Sequence, residues 1–333
     1  MANNITVLGA GSWGSALALL LARNGHPTCL WGHDPDHIAL LQQRTENPRH
    51  LPGITFPSLL TASSDLSNAV NQADAILVAV PSHAFGATIK RLQPHLPPGI
   101  GLAWATKGLE HGSGRFLHEV AREIIGEKQP LAMISGPSFA REVAVGLPTA
   151  ITVAAAQIDF ADFWVSLLHG PTMRAYSSED IVGVELGGAV KNVLAIAAGI
   201  ADGLGFGANA RAALITRGLA EMVRLGEAVG GSRDTFMGLT GIGDLLLTCT
   251  DDQSRNRRFG LAIGRGQTAD EARAAIGQVV EGMVTAQEIM RLAHQFGIEM
   301  PITEQVDRVL HVGLEPRQAV EALLTREPKR ESD

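Results

Sequence analysis

Short apolar runs punctuate the first half of the chain at residues 5–8, 28–31, 75–80, 100–105, 131–135 and 150–154. Stretches with helical patterning, such as residues 15–24 and 114–125, lie between them. Strand and helix alternating at this spacing predict a mostly parallel sheet covered by helices on both faces. After about Tyr176 the strand pattern stops, and from Ile181 onward Ala-rich runs, apolar (i, i+4) repeats and glycine breaks predict helices only. The expected organisation is an α/β domain over residues 1–180 and an all-helical domain over 181–327. Residues 328–333 are set apart as the end of a charged, candidate-disordered stretch that begins at Arg326. The helical half shows no functional signature of its own, so the site is expected in a cleft that both halves line.

Composition narrows the partners. A chain of 333 residues exceeds the roughly 250–300 residues at which a single core stops growing, which supports two domains. The net charge of −7 gives no general attraction to nucleic acid or anionic lipid, so an anionic ligand needs a local positive site. Cys29 and Cys249 have no metal-ligand spacing, which points to a reduced, cytoplasmic protein without a metal. The N-terminus has no basic region of the signal-peptide kind, and the apolar stretch 186–200 is interrupted by Lys191 and Asn192 and is short for a bilayer span. A soluble protein with no membrane insertion is expected.

Gly9-Ala10-Gly11-Ser12-Trp13-Gly14 is a GxGxxG sequence placed between a strand and a helix. In that setting the first glycine makes a tight turn and the second lets backbone approach a pyrophosphate. The third lets helix pack on strand, and the helix N-terminus attracts phosphate. This predicts a Rossmann-type dinucleotide site. The acid that selects NAD usually ends the second strand. Here Gly32-His33 occupies that place, with Asp34 one step further. A histidine there can accept a 2′-phosphate, which tilts the cofactor expectation from NAD(H) toward NADP(H).

The chain has only five lysines, Lys90, Lys107, Lys128, Lys191 and Lys329. Lys191 sits in a helix apolar on nearly every face, where an ammonium is costly and burial lowers its pKa toward the range useful for proton transfer. Pairing with Glu185 is the alternative reading. Lys107, Gly136-Pro137-Ser138 and Pro81-Ser82-His83 each follow a predicted strand, at the edge where open α/β sheets bind ligands, and Ser138 suits a helix N-cap. Asp244 lies in Gly241-Ile242-Gly243-Asp244, read as a flexible turn. Ser254-Arg255-Asn256-Arg257-Arg258 concentrates three arginines in an acidic protein and reads either as an anion site or as a solvated helix start. His83 and His111 read as ordinary loop histidines.

These pieces, with others in order along the chain, resemble bacterial NAD(P)-dependent glycerol-3-phosphate dehydrogenases. The motifs are GAGSWG from Gly9, WGHDP from Trp31, VPSH from Val80, WATKGLE from Trp104 and SGPSFA from Ser135. They continue with GGAVKN from Gly187, GFGANARAALITRG from Gly205, GIGDLLLTC from Gly241, SRNRRFG from Ser254 and GQVVEG from Gly277. The resemblance covers nearly the whole chain. It implies a Rossmann-type domain followed by a 6-phosphogluconate-dehydrogenase-like all-α domain, working as a homodimer. It also implies reversible reduction of dihydroxyacetone phosphate to sn-glycerol 3-phosphate for phospholipid synthesis.

By matching positions, the resemblance makes Lys191 the general acid–base, Lys107 a second lysine at substrate and cofactor, and Asp244 the carboxylate that keeps Lys191 oriented and charged, with Thr248 assisting. Substrate contacts would come from Lys107, Gly136, Ser138, Lys191, Asp244, Ser254, Arg255 and Asn256. Cofactor contacts would come from Gly9, Gly11, Ser12, Trp13, Gly14, His33, Lys107, Ala140, Arg255, Val279 and Glu281. Val279 and Glu281 rest on the resemblance alone. A dehydrogenase of the same fold acting on a β-hydroxy acid, and an NAD(P)-sensing regulator without turnover, are the alternatives.

Overall fold

The structure is a computed structural model and describes residues 2–328 and 330. Its strands are β1 (Ile5–Leu8), β2 (Thr28–Trp31), β3 (Glu46–Asn47), β4 (Leu51–Thr55), β5 (Leu60–Ser63), β6 (Ala75–Val78), β7 (Leu102–Trp104), β8 (Leu131–Ser135), β9 (Thr149–Ala154) and β10 (Met173–Ser178). Eight of them form one sheet in the order β10-β9-β8-β7-β6-β1-β2-β5, while β3 and β4 make a separate hairpin. Neighbours in the large sheet run parallel except β8 and β9. The six strands from β5 to β8 have the doubly wound 3-2-1-4-5-6 order, whose switch point lies between β1 and β6.

Helices α1 (Ser12–Arg23), α2 (Pro35–Arg44), α3 (Leu66–Asn71), α4 (Ser82–Leu92), α5 (Leu117–Ile125), α6 (Ala140–Val145) and α7 (Ile158–Leu168) connect the strands. One apolar layer gathers Leu17, Leu21 and Trp164, and the other gathers Phe85, Trp104 and Leu117. Strands buried on both faces read as continuous apolar runs, which is why β1, β2, β6, β7, β8 and β9 were visible in the pattern. The others were not, for a physical reason. The edge strand β10 alternates buried and exposed residues, and β4 carries Pro52 and Gly53.

Beyond β10 the described residues form helices and turns: α8 (Ile181–Gly203), α9 (Ala208–Ala228), α10 (Arg233–Phe236), α11 (Asp244–Thr250), α12 (Arg255–Gly264), α13 (Ala269–Ile276), α14 (Glu281–Phe296), α15 (Pro301–His311) and α16 (Pro316–Leu324). The apolar stretch at 186–200 is part of a 23-residue helix, α8, long enough to cross a membrane, but 94% of its apolar 18-residue window is buried inside the protein. It is the central rod of the helical half, and α9, α11, α12 and α14 pack around it. At the charged end of the chain, Arg326 is paired to Glu299 at 2.9 Å, and residues 329 and 331–333 of the expected tail lie outside the described residues.

Helices α8 and α12 meet backbone to backbone. A Cβ on Gly260 would stand 2.1 Å from the Ile196 carbonyl oxygen, and one on Gly199 would stand 2.1 Å from that of Arg257. No side chain fits between them, and this contact sets the distance from Lys191 on α8 to the start of α12. Gly260→Val is therefore expected to lower stability by about 1–3 kcal/mol, the usual cost of overpacking, read as a fall in the thermal unfolding midpoint.

Candidate active site

The glycine turn after β1 is shaped by what touches it. Gly9 has φ +124°, and a Cβ there would lie 2.6 Å from the Ala79 carbonyl oxygen; at Gly14 it would lie 1.9 Å from the carbonyl of Gly9. Both glycines are thus demanded by packing. Gly11 differs: nothing stands within 4 Å of its Cβ position, and as N-cap of α1 it supplies no side-chain partner to the first turn. The open backbone at a helix N-terminus leaves a cradle for phosphate, so the residues present fit a dinucleotide.

This turn opens into a cleft of about 1090 Å³ along the carboxyl ends of β1, β6, β7 and β8. Gly9, Gly11, Ser12, Trp13, His33, Lys107, Ser138 and Ala140 line it from the α/β half. Lys191, Asp244, Thr248, Ser254, Arg255, Asn256, Val279 and Glu281 line it from the helical segment. Gly14 and Gly136 are absent from its wall. Gly14 is sealed against Gly9, and Gly136 stands behind Lys107, whose Nζ donates to its carbonyl at 3.0 Å. Ser138 is not a cap either, since its hydroxyl donates to the Gly136 carbonyl at 3.0 Å and α6 begins after Phe139.

At the inner end one carboxylate holds two ammonium groups. Lys191 Nζ donates to Asp244 Oδ1 and Lys107 Nζ to Asp244 Oδ2, each at 2.7 Å. Lys191 also donates to Thr248 Oγ1 at 3.0 Å, and that hydroxyl donates to the Asp244 backbone carbonyl at 2.6 Å. An ammonium has three N–H donors, so Lys191 keeps one for an acceptor in the cleft. Glu185 is not its partner, because that carboxylate binds the backbone N–H and Nδ1 of His118.

Asp244 is 1% exposed and opens α11, so the expected flexible turn is in fact packed. It follows a π-type turn, Leu239–Gly243, in which the Gly243 N–H reaches the Gly238 carbonyl at 3.1 Å. Gly187 on α8 admits this turn, as its Cβ would lie 2.6 Å from the Thr240 carbonyl oxygen.

Burial pushes Lys191 down to about 8; Asp244 opposes that shift and the Lys107 charge adds to it. For Asp244, burial alone would raise the pKa, but the two lysines outweigh it and hold the carboxyl below its ordinary value. With both lysines protonated the triad carries one net positive charge.

The arginine-rich segment divides rather than forming one site. Arg255 and Arg258, three apart on α12, both face the cleft, and Arg255 donates to Gln278 Oε1 at 3.1 Å. Arg257 turns away on the same helix. It is buried against Asp202 at 2.6 Å, pairs with Asp252, and donates to the Cys249 carbonyl at 3.1 Å. Ser254 caps α12 by accepting from the Arg257 N–H at 3.2 Å. Asn256 donates to Asn192 Oδ1 at 2.9 Å and accepts from the Gly282 N–H at 3.0 Å, so its amide fastens α14 to α8.

Sequence reasoning passed over Arg49 and His50, which enter the cleft from the β3–β4 connection and belong to no motif. Among the described residues, no group of three or more His, Cys, Asp or Glu side chains could hold a metal ion.

An open phosphate cradle at one end of the cleft and paired lysines at the other are the equipment of a nucleotide-dependent oxidoreductase. Family models agree. The N-terminus of NAD-dependent glycerol-3-phosphate dehydrogenase matches residues 4–161 and the C-terminus matches 180–321. A glycerol-3-phosphate dehydrogenase [NAD(P)+] of Stenotrophomonas maltophilia is 59% identical over 99% of this chain and 97% of its own length. One from Aeromonas hydrophila is 58% identical over 98% of both chains. The crystal structure of glycerol-3-phosphate dehydrogenase from Coxiella burnetii superposes with TM-score 0.95 at 50% identity, covering 98% of this chain and 99% of that one. The chain belongs to the NAD-dependent glycerol-3-phosphate dehydrogenase family.

The Asp244 bridge makes a checkable statement about charge. In Asp244→Asn the attraction that supports the Lys191 charge is gone while Lys107 still repels it. The pKa of Lys191 is expected to fall below about 8, read from the pH dependence of kcat/KM.

Proposed function

We propose that the cleft catalyses the reversible reduction of dihydroxyacetone phosphate to sn-glycerol 3-phosphate, feeding glycerophospholipid synthesis, with Lys191 as general acid–base. The observation that carries this reading is the Asp244 carboxylate shared by two lysines in a cleft that Arg255 also lines. A bound dinucleotide supplies the hydride for C2 of the substrate. Lys191 gives its proton to the C2 oxygen during reduction and takes it back during oxidation. Asp244 and Thr248 orient that ammonium, and Lys107 adds positive charge beside the same oxygen. Arg255, with the start of α12 that Ser254 caps, takes the substrate phosphate and holds the carbonyl in position.

The division of labour follows the chain: residues 1–180 for cofactor, 181–327 for substrate and for pairing into a cytoplasmic homodimer. NADP(H) is the preferred nucleotide in this reading. Asp34, the acid nearest the end of β2, is engaged in capping α2 through the N–H groups of Asp36 and His37 and lies 3.6 Å from Arg49. Arg49 then offers a positive charge to a 2′-phosphate, with His33 and His50 beside it as hydrogen-bonding groups, the latter held toward its neutral form by burial.

Oxidation of NADPH and of NADH should be followed separately, with dihydroxyacetone phosphate and with unphosphorylated dihydroxyacetone. Turnover that requires the phosphate, and is faster with NADPH, is expected. Equal rates with both carbonyl compounds would remove Arg255 from its role. Lys191→Ala should cut kcat by about a hundred- to ten-thousandfold, the usual worth of a general acid, while leaving dinucleotide affinity in place. Reduction needs the protonated lysine, so its kcat/KM should decline as pH rises through about 8, and glycerol 3-phosphate oxidation should climb over the same range.

A further inference from the structure

Glu288 is a carboxylate with no part in the cleft, yet it is only 1% exposed. An isolated buried carboxylate is expensive, and this one is compensated entirely by one place in the chain and one arginine. Its Oε1 accepts from the Gly112 N–H at 2.9 Å and lies 3.4 Å from His111 Nδ1; its Oε2 pairs with Arg291 at 2.9 Å. Arg291 in turn donates to the Gly112 carbonyl. Both backbone groups of Gly112 are therefore held from α14.

The segment so held is the one that begins at Lys107. It leaves β7, turns at Gly108 with φ +149°, and sends Leu109 and Phe116 into the apolar core of the helical half. Glu281, Thr285 and Glu288 follow each other at helical (i, i+4, i+7) spacing on α14. Ser82 Oγ donates to Glu281 Oε2 at 2.7 Å. The Cβ position of Gly108 lies 2.9 Å from Ser82 Cβ and 3.6 Å from Thr285 Oγ1, and Gly112 sits on Glu288. One helix face thus runs along the segment that carries Lys107: Thr285 lies near Gly108, Glu281 holds the neighbouring Ser82, and Glu288 with Arg291 bonds the segment itself at Gly112.

We infer that Glu288 is a positioning residue for Lys107, fixing the segment that follows β7 so that Lys107 Nζ reaches Asp244. This rests on the reading of Lys107 as a group beside the substrate oxygen. Glu288 acts by removing freedom from a glycine-rich loop, and a displacement of about 1 Å at a reacting group costs up to a hundredfold.

The test is a double-mutant cycle in the full chain with Glu288→Met, which keeps volume and removes both acceptor oxygens, and Lys107→Met. Alone, Glu288→Met should lower kcat/KM for dihydroxyacetone phosphate by about 10- to 100-fold, with dinucleotide affinity retained. In the Lys107→Met background the same change should cost less than about twofold. Glu288→Gln keeps one acceptor for Gly112 and should lose only about threefold, again cancelled by Lys107→Met. That variant carries the cycle if the Met variant does not fold. Losses that multiply unchanged in the Lys107→Met background would overturn the inference, as would full activity in both Glu288 variants. If Lys107→Met by itself leaves turnover intact, it is the reading of Lys107 that fails.

Discussion

The structure depends on one carboxylate serving two cations from opposite halves of the chain. Lys107 arrives at the end of a sheet strand, Lys191 from the middle of a buried helix, and Asp244 accepts from both at 2.7 Å. Each ion gives up hydration worth several kcal/mol, and only close geometry with further hydrogen bonds offsets that cost. Gly136 and Thr248 supply those bonds. The arrangement exists only while the two halves are packed together, which ties the shared charge to the integrity of the cleft. Taking away Asp244 leaves two neighbouring cations without their balance, whereas taking away either lysine leaves a one-to-one pair.

The remaining architecture holds this triad at the correct depth. Glycines at helix crossings let α12 approach α8 and let the π-type turn approach α8, so that Lys191, Asp244 and the start of α12 converge on one cleft. On the other side, the doubly wound sheet collects the glycine turn and the strand-end loops along a single edge. The proposed chemistry places hydride transfer and phosphate binding at different points of the same cleft, which Lys191 lines together with the sheet edge and the arginine-bearing helix.

Much of this was legible in the sequence because burial on both faces writes itself as uninterrupted apolar runs, and because a lysine in such company as residues 186–200 stands out by its cost. The glycine loop declared itself by its position between strand and helix. Less was legible wherever a residue's role depends on direction. Arg255, Arg257 and Arg258 look equivalent in a string, and only the helical phase of α12 turns Arg257 inward to Asp202. Arg49 and His50 belong to a hairpin connection that no motif marks. Glu288 looks like one more surface charge until the segment after Lys107 folds over it. Edge strands such as β10 escaped because half of their residues face solvent.

The most direct measurement is a titration of the lysine side chains by NMR of isotope-labelled methylene carbons next to nitrogen, feasible in a chain with five lysines, assigned by Lys191→Arg. The account predicts that Lys191 titrates near 8 and moves upward in Lys107→Met, where the repelling charge is gone. A Lys191 resonance that titrates near the ordinary 10.5 and is indifferent to Lys107 would contradict it.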